Sequence, residues 1–177
     1  MARARPCLWR VARRSLLADL ATLNELQVHL GRLATILWNY GASFPVPTLD
    51  KYEDTGNIGF EFSAELGGSD SPKPAIIKMS EIWESAGPGD FRRREYEYDF
   101  VEHPLDRRRA FHGHHPEHFA REFNVLVHEH CEEVLDQPVC DHYYGLPVDG
   151  HEAIRRFASL WGQSDPLGCG DLGCIHS

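Results

Sequence analysis

Residues 127 to 145, VHEHCEEVLDQPVCDHYYG, hold three His, two Cys and five carboxylates in nineteen positions. Imidazoles and thiolates are the donors zinc prefers, and imidazoles paired with carboxylates are the groups that move protons in acid–base catalysis. Side chains two apart share one face of a strand, so His128 and His130 are neighbours, as are Cys140 and His142. If residues 123–131 and 139–145 pair antiparallel with 130 opposite 140, then 128 lies opposite 142. His128, His130, Cys140 and His142 would then share one face, within about 5–8 Å of each other, as a zinc-binding set. A slip of one residue dissolves that set, because Cys131 then faces Cys140 and Glu129 faces His142. The loop between the two strands is long, and the sequence leaves the register open.

A second chemistry needs no metal. Residues 92–103 alternate, with Tyr96, Tyr98 and Phe100 on an apolar face and Arg93, Glu95, Glu97 and Asp99 on the other. If this strand adjoins 123–131, carboxylates and imidazoles share one surface, with the triplets Arg92–Arg94 and Arg107–Arg109 near its rim. Such a surface can cleave RNA: one His removes the 2′-hydroxyl proton, a second protonates the leaving oxygen, and Arg holds the phosphate. His128, His130 and His142 are the acid–base candidates, with Glu129 and Asp141 to orient the imidazoles, although parity can turn both carboxylates inward. Nine of the eleven His lie between positions 103 and 151, and His is the side chain that changes protonation near neutral pH. The plainer account is a polar sheet face that keeps the protein in solution, with each Arg triplet a solvated strand end or loop. AFHGHHPEHF (110–119) adds four more His, either closing over the same face, binding a metal alone, or forming an ordinary surface loop.

The elements that must position these groups read as an α+β order. Leu16, Leu20, Leu23, Leu26, Leu30, Leu33, Leu37 and Tyr40 recur at gaps of three and four, which predicts a helix over 15–41, capped by Ser15, ended by Gly41 and about 39 Å long. It either lies across a sheet or offers its Leu stripe to a second copy or another protein. IGFEFSAEL (58–66) alternates as a half-buried strand, AIIKMSEIW (75–83) reads as a short one, and 84–90 as a turn. Residues 104–122 read as a polar connection. Asp149 and Glu152 form a capping box for a final helix with Ile154, Phe157, Ala158 and Trp161 on one face. The expected fold is a long N-terminal helix, a mainly antiparallel sheet of four to five strands and a capped C-terminal helix. The expected division is 1–14 a basic disordered arm, 15–41 the amphipathic helix, 42–162 the α+β domain and 163–177 a disordered tail.

Composition narrows the function. Net charge is −9, and five Arg with no acid occupy the first fourteen residues, leaving 13 bases against 27 acids in the remainder. That remainder does not hold nucleic acid by charge alone; RNA would need local patches. No apolar run approaches the about eighteen residues that span a bilayer. Five Cys, an odd and sparse set without a signal peptide, suit a reducing, cytoplasmic chain. GCGDLG (168–173) fits a dinucleotide-binding pattern by letters only, since that motif needs a strand before it, a helix after it and an acid about twenty residues on, and four residues follow here. Cys169, Cys174 and His176 could chelate an adventitious metal.

The stretch from REYEYDFVEH through HEHCE and CDHYYG to DGHEAIRRF resembles a family of small prokaryotic proteins known only as a domain of unknown function, a likeness that covers roughly residues 92 to 161. More distantly, CDHYYG followed by DGHEAIRRFASLW is similar to TumE-type toxins of toxin–antitoxin pairs, which place an Asp–His strand before a capped C-terminal helix. That likeness implies a role for Asp141 and His142. A prokaryotic likeness favours reading the Arg-rich start as a translated extension or disordered arm rather than a transit peptide. The expected function is a small toxin-like or defence-related protein acting on RNA. The alternative is a non-enzymatic interaction module, oligomeric or partner-bound through its Leu stripe, with a hairpin stabilised by zinc.

Overall fold

The computed structural model describes residues 20–68, 71–113, 127–134, 137–143 and 148–161, and for 127–134 and 137–143 it describes backbone and register. The fold is α+β, with an antiparallel sheet and, among the described residues, two α-helices. The strands are β1 (Leu20–Thr22), β2 (Asp50–Lys51), β3 (Ile58–Leu66), β4 (Ala75–Gly87), β5 (Asp90–Glu102), β6 (Arg107–Gly113), β7 (Val127–Val134) and β8 (Gln137–Tyr143). They lie side by side in the order β2 to β8, and β1 pairs with the start of β5. The helices are α1 (Leu23–Asn39) and α2 (Gly150–Leu160).

The alternation of β3 is realised: Ile58, Phe60, Phe62, Ala64 and Leu66 are buried while Glu61, Ser63 and Glu65 are exposed. Ala75, Ile77 and Met79 of β4 and Tyr96, Tyr98 and Phe100 of β5 continue the same inner face. Both helices cover it. α1 lays Leu26, Leu30, Leu33 and Leu37 on the sheet, and α2 adds Ala153, Ile154, Phe157 and Leu160. Each buried leucine contributes about 1.5–3 kcal/mol relative to exposure, so the stripe holds α1 to the sheet.

The N-terminal helix begins later than Ser15. Thr22 is its cap: the Thr22 hydroxyl accepts from Glu25 N, and the Glu25 carboxylate accepts from Thr22 N at 2.8 Å. That reciprocal box stops the helix from running back, and Leu20–Thr22 extends instead as β1 against Asp90–Arg92. The far end is as expected, with Gly41 left-handed at φ 74°. At α2 only half of the expected box is present. Asp149 caps His151 N at 2.7 Å, while Glu152 pairs with Arg155 and Arg156.

Two strands depart from expectation. β4 runs on through 84–87 into a tight turn at Pro88–Gly89, so the expected turn is mostly strand. β6 occupies part of the supposed polar connection. Its inner face is Arg107, Arg109 and Phe111, and both arginines are buried, so the triplet is neither a loop nor a solvated strand end. Arg107 is bonded by Glu102, itself buried, and donates to Leu160 O at 3.3 Å, tying β6 to the end of α2. Two buried charges are tolerable only because they meet each other.

A bulge in β5 redirects a third arginine. Ile82 pairs with Glu95 but Trp83 pairs with Arg93, leaving Arg94 as the extra residue. Arg93 therefore leaves the outer face shared by Glu97 and Asp99, and its guanidinium reaches Tyr98 Oη and Val148 O, each at 3.2 Å.

Candidate active site

Where α1 and the start of α2 meet over β4 and β5, polar side chains interrupt the core. Glu81 takes the inner parity of β4, in line with Met79 and Trp83, and is fully buried. A buried carboxylate needs donors, and three side-chain atoms are aimed at it. Tyr98 Oη donates at 2.5 Å to Oε1 and Trp83 Nε1 at 2.8 Å to Oε2. His29 Nε2, from α1, lies 3.0 Å and 3.2 Å from the two oxygens. Burial alone would push the Glu81 carboxyl upward. His29, the Arg93 charge and the Tyr98 hydroxyl outweigh it and hold the carboxyl below its ordinary range. Burial and the Glu81 charge together push the Tyr98 phenol well above its ordinary value.

A second imidazole faces the first. His151, in the first turn of α2, has its ring centroid 5.2 Å from that of His29, at 83°. Its Nδ1 lies 2.7 Å from Asp149 Oδ1, the same oxygen that caps the helix. Burial tends to raise the Asp149 carboxyl, but the bonds from His151 and the nearby His29 bring it below its ordinary range. His151 Nε2 is shielded from solvent and has no hydrogen-bond partner among the described residues. Both rings are partly open, at 20% and 22% exposure. Gly150 lets the helix start approach: a Cβ there would lie 3.1 Å from Leu33 Cδ2 and 3.4 Å from Glu81 Oε1.

Tyrosines fix the floor. Tyr96 and Tyr98 stack with centroids 4.8 Å apart, Val148 N donates to Tyr96 Oη at 2.9 Å, and the Arg93 guanidinium lies over the Tyr96 ring. The result is two imidazoles, each held by its own carboxylate, with rings close enough to address one small reacting centre from two sides.

The sequence signal for this site was a single acid in the apolar stripe Ala75, Ile77, Met79, Glu81, Trp83. His29 gave a matching signal beside Leu26, Leu30 and Leu33, on the buried side of its helix. Neither is among the expected site residues.

The hairpin candidates fall elsewhere. β7 pairs with β8 in the shifted register: His128 opposite Tyr143, Glu129 opposite His142, His130 opposite Asp141, Cys131 opposite Cys140. Partners across a ladder share a face, so the expected zinc set is divided, with His128 and His130 on one side and Cys140 and His142 on the other. The expected catalytic set divides likewise. His128, His130 and Asp141 share the outer face, while Glu129 and His142 fall in the inner row that continues Tyr98 and Phe111. Nor do the strands at 92–103 and 127–134 adjoin, because β6 lies between them. Their polar positions still align across it: Glu97, His112, His128 and Tyr143 form one outer row, and Asp99, Ala110, His130 and Asp141 the next. Asp99 Oδ1 accepts from Arg108 Nε at 2.8 Å, and Asp99 Oδ2 lies 3.5 Å from His112 Nε2. His114, His115 and His118, the tail thiols Cys169 and Cys174, Cys7 and the GCGDLG run lie outside the described residues. No group of three metal-ligating side chains is found among the described residues, and no helix among them is long and apolar enough to cross a membrane. No family model, no curated protein and no solved structure matches the chain.

Proposed function

We propose that the protein is a small, cytoplasmic, toxin-like or defence-related enzyme that cleaves RNA by histidine acid–base chemistry, with His29 and His151 as the working pair. The observation that carries this reading is the 5.2 Å approach of two imidazoles, each anchored to a carboxylate. Asp149 engages His151 Nδ1, which leaves Nε2, shielded in the free protein, to take the proton from a ribose 2′-hydroxyl once the ring turns toward bound RNA. The resulting 2′-oxygen attacks the adjacent phosphorus, and the bond from phosphorus to the 5′-oxygen breaks. His29, beside the Glu81 carboxylate, supplies the proton that the departing 5′-oxygen requires. The products are a 2′,3′-cyclic phosphate and a 5′-hydroxyl end. Glu81, Tyr98 and Trp83 are positioning residues, since they touch His29 or each other and not the reacting atoms.

The test is cleavage of a fluorescently labelled single-stranded RNA by purified protein, with the cyclic phosphate identified by mass. General acid–base groups contribute about 10²–10⁴-fold each, so His29→Ala and His151→Ala should each slow cleavage at least a hundredfold while keeping the native circular dichroism spectrum. Absence of cleavage by the wild type, or cleavage at the wild-type rate by either variant, overturns the proposal.

One observation favours a second reading, the non-enzymatic interaction module. Trp38 on α1 is 75% exposed, and Leu23, Val28 and Tyr40 are also open to solvent. As a module joining copies of itself through α1, the protein would show a mass in sedimentation that rises with concentration and falls in Trp38→Ser; a constant single-chain mass removes that version.

A further inference from the structure

The face of the sheet opposite the helices holds a cavity that shares no residue with the acid–base pair. It encloses about 310 Å³ at the β2–β3 end of the sheet. Register builds its floor. Gly59 of β3 is opposite Ile82 of β4, and Ile82 is opposite Glu95 of β5. These three share the outer face, because the next row, Phe60, Glu81 and Tyr96, is buried on the inner one. Position 59 requires glycine: a Cβ there would lie 2.7 Å from Glu81 O and 3.0 Å from Tyr52 Cε2. The Tyr52 side chain therefore lies over the space Gly59 leaves and forms a wall, with Ile82 beneath. The turn that carries Tyr52 is closed on itself, with Tyr52 N donating to Asn57 O at 2.9 Å and Gly56 N to Tyr52 O at 2.8 Å.

Two polar groups on this cavity lack partners. Asn57 is only 9% exposed, and its side-chain carboxamide makes no hydrogen bond among the described residues. A carboxamide carries both donors and an acceptor, and burying them unused is costly. Arg94, the extra residue of the β5 bulge, has a buried Nε that also makes no hydrogen bond. Glu95 Oε1 lies 3.2 Å from that Nε, an ion pair without a hydrogen bond, so the guanidinium keeps its N–H donors unused.

We propose that this cavity is a binding site for a guanine base. The volume sits at the small end of the range for small-molecule sites, which suits one heterocycle with its sugar. Tyr52 and Ile82 supply the aromatic and apolar surfaces on which a flat base rests. Arg94 and Glu95 set a donor beside an acceptor, the complement of guanine, whose O6 and N7 accept while its N1–H and N2 amino group donate. Adenine has no carbonyl for Arg94 and a single amino group for Glu95. The Asn57 carboxamide can donate to or accept from the same edge. Charge agrees: Asp54 and Glu95 outnumber Arg94 in the lining, which favours a base rich in N–H donors over a phosphate. The same edge is offered by a free nucleoside and by a base within an RNA strand.

The experiment is calorimetric titration of the full-length protein with guanosine, inosine and adenosine. A parallel titration uses two 2′-O-methyl oligonucleotides of one length, which cannot be cleaved at the 2′-hydroxyl, one with a single guanine and one with none. Guanosine should saturate one site per chain. Inosine, which lacks the 2-amino group, should bind about fivefold more weakly and adenosine about tenfold more weakly. Glu95→Gln and Arg94→Gln should each lower guanosine affinity about tenfold, as should Tyr52→Ala, while His29→Ala leaves it unchanged. Glu95→Gln is isosteric, and circular dichroism of each variant separates lost binding from lost fold. Binding of guanosine makes the free nucleoside a sufficient ligand; binding of the guanine oligonucleotide alone assigns the base to a strand, and either upholds the site. Binding of neither, adenosine bound as tightly as guanosine, indifference to both Glu95→Gln and Arg94→Gln, or loss of binding in His29→Ala overturns the proposal. Because none of these titrations requires cleavage, failure of this site is distinguishable from failure of the acid–base pair.

Discussion

Removing the Tyr98 hydroxyl is the sharpest test of the buried network. In Tyr98→Phe the ring remains to stack on Tyr96, so packing is preserved. Two hydrogen bonds are lost: the donation to Glu81 at 2.5 Å and the acceptance from Arg93 at 3.2 Å. Glu81 keeps Trp83 and His29, and Arg93 keeps Val148 O. A buried hydrogen bond to an ionised group is worth about 1.5–3 kcal/mol, and the remaining partners absorb part of the second loss, so the cost should be about 2–4 kcal/mol. For a chain of this length that corresponds to a fall in Tm of about 5–12 °C. The control is Tyr96→Phe, which removes a neutral bond from Val148 N and should cost about 1 kcal/mol. Urea denaturation monitored by Trp fluorescence gives both values. If Tyr98→Phe costs no more than Tyr96→Phe, the Tyr98 hydroxyl does not serve the Glu81 carboxylate, and the account of how His29 is positioned fails with it.

The remaining predictions concern protons, charges and space. The folded-state Glu81 carboxyl lies below its ordinary value, so its contribution to stability is whole above the ordinary carboxylate range and is lost as pH falls through the lowered value; acid unfolding of Glu81→Gln should therefore show a shallower dependence on pH than wild type. Tyr98 has the opposite sense: its folded value is raised, so wild type should lose stability as pH rises past the ordinary tyrosine range, and Tyr98→Phe should lose less over the same interval. Arg107→Met leaves Glu102 buried and unpaired and should cost about 3–5 kcal/mol in chemical denaturation, while adding Glu102→Leu should recover most of it. Gly113 faces Tyr96, and a Cβ there would come within 2.1 Å of the Tyr96 ring; Gly113→Ala should cost about 1–3 kcal/mol or more as an overpacked core, and calorimetry should show a lowered Tm.

Particular residues explain what was legible. Alternation in β3 and β5, and the leucines of α1, follow directly from which side chains leave water, so the α+β class could be read at once. β6 could not, because its inward positions are Arg107 and Arg109, and charge conceals a strand from any hydrophobic pattern. α1 starts later than the spacing predicts because Leu16 and Leu20 continue the helical period, while the Thr22–Glu25 box that caps its N-terminus is a local hydrogen-bond competition invisible to periodicity. The Arg93 inversion follows from a one-residue bulge that nothing in RRREYEY announces. Of the site, the hairpin residues stand out by density, yet both strands run on past the expected bounds until Val134 pairs with Gln137, and the register goes with that longer ladder. Glu81 and His29 were single polar residues in apolar stripes, and only the tertiary fold brings them together.

The placement of the two imidazoles has a temporal consequence. His29 belongs to α1 and His151 to α2, so during synthesis residues 30 to 150 must all be made before the second ring exists. Glu81 is made well before α2 and can meet His29 early, but Asp149 and His151 arrive only with α2. A nascent chain therefore carries one histidine–carboxylate pair and no partner for it. If the pair cuts RNA, the ribosome that makes the protein is spared until Asp149 and His151 have been made.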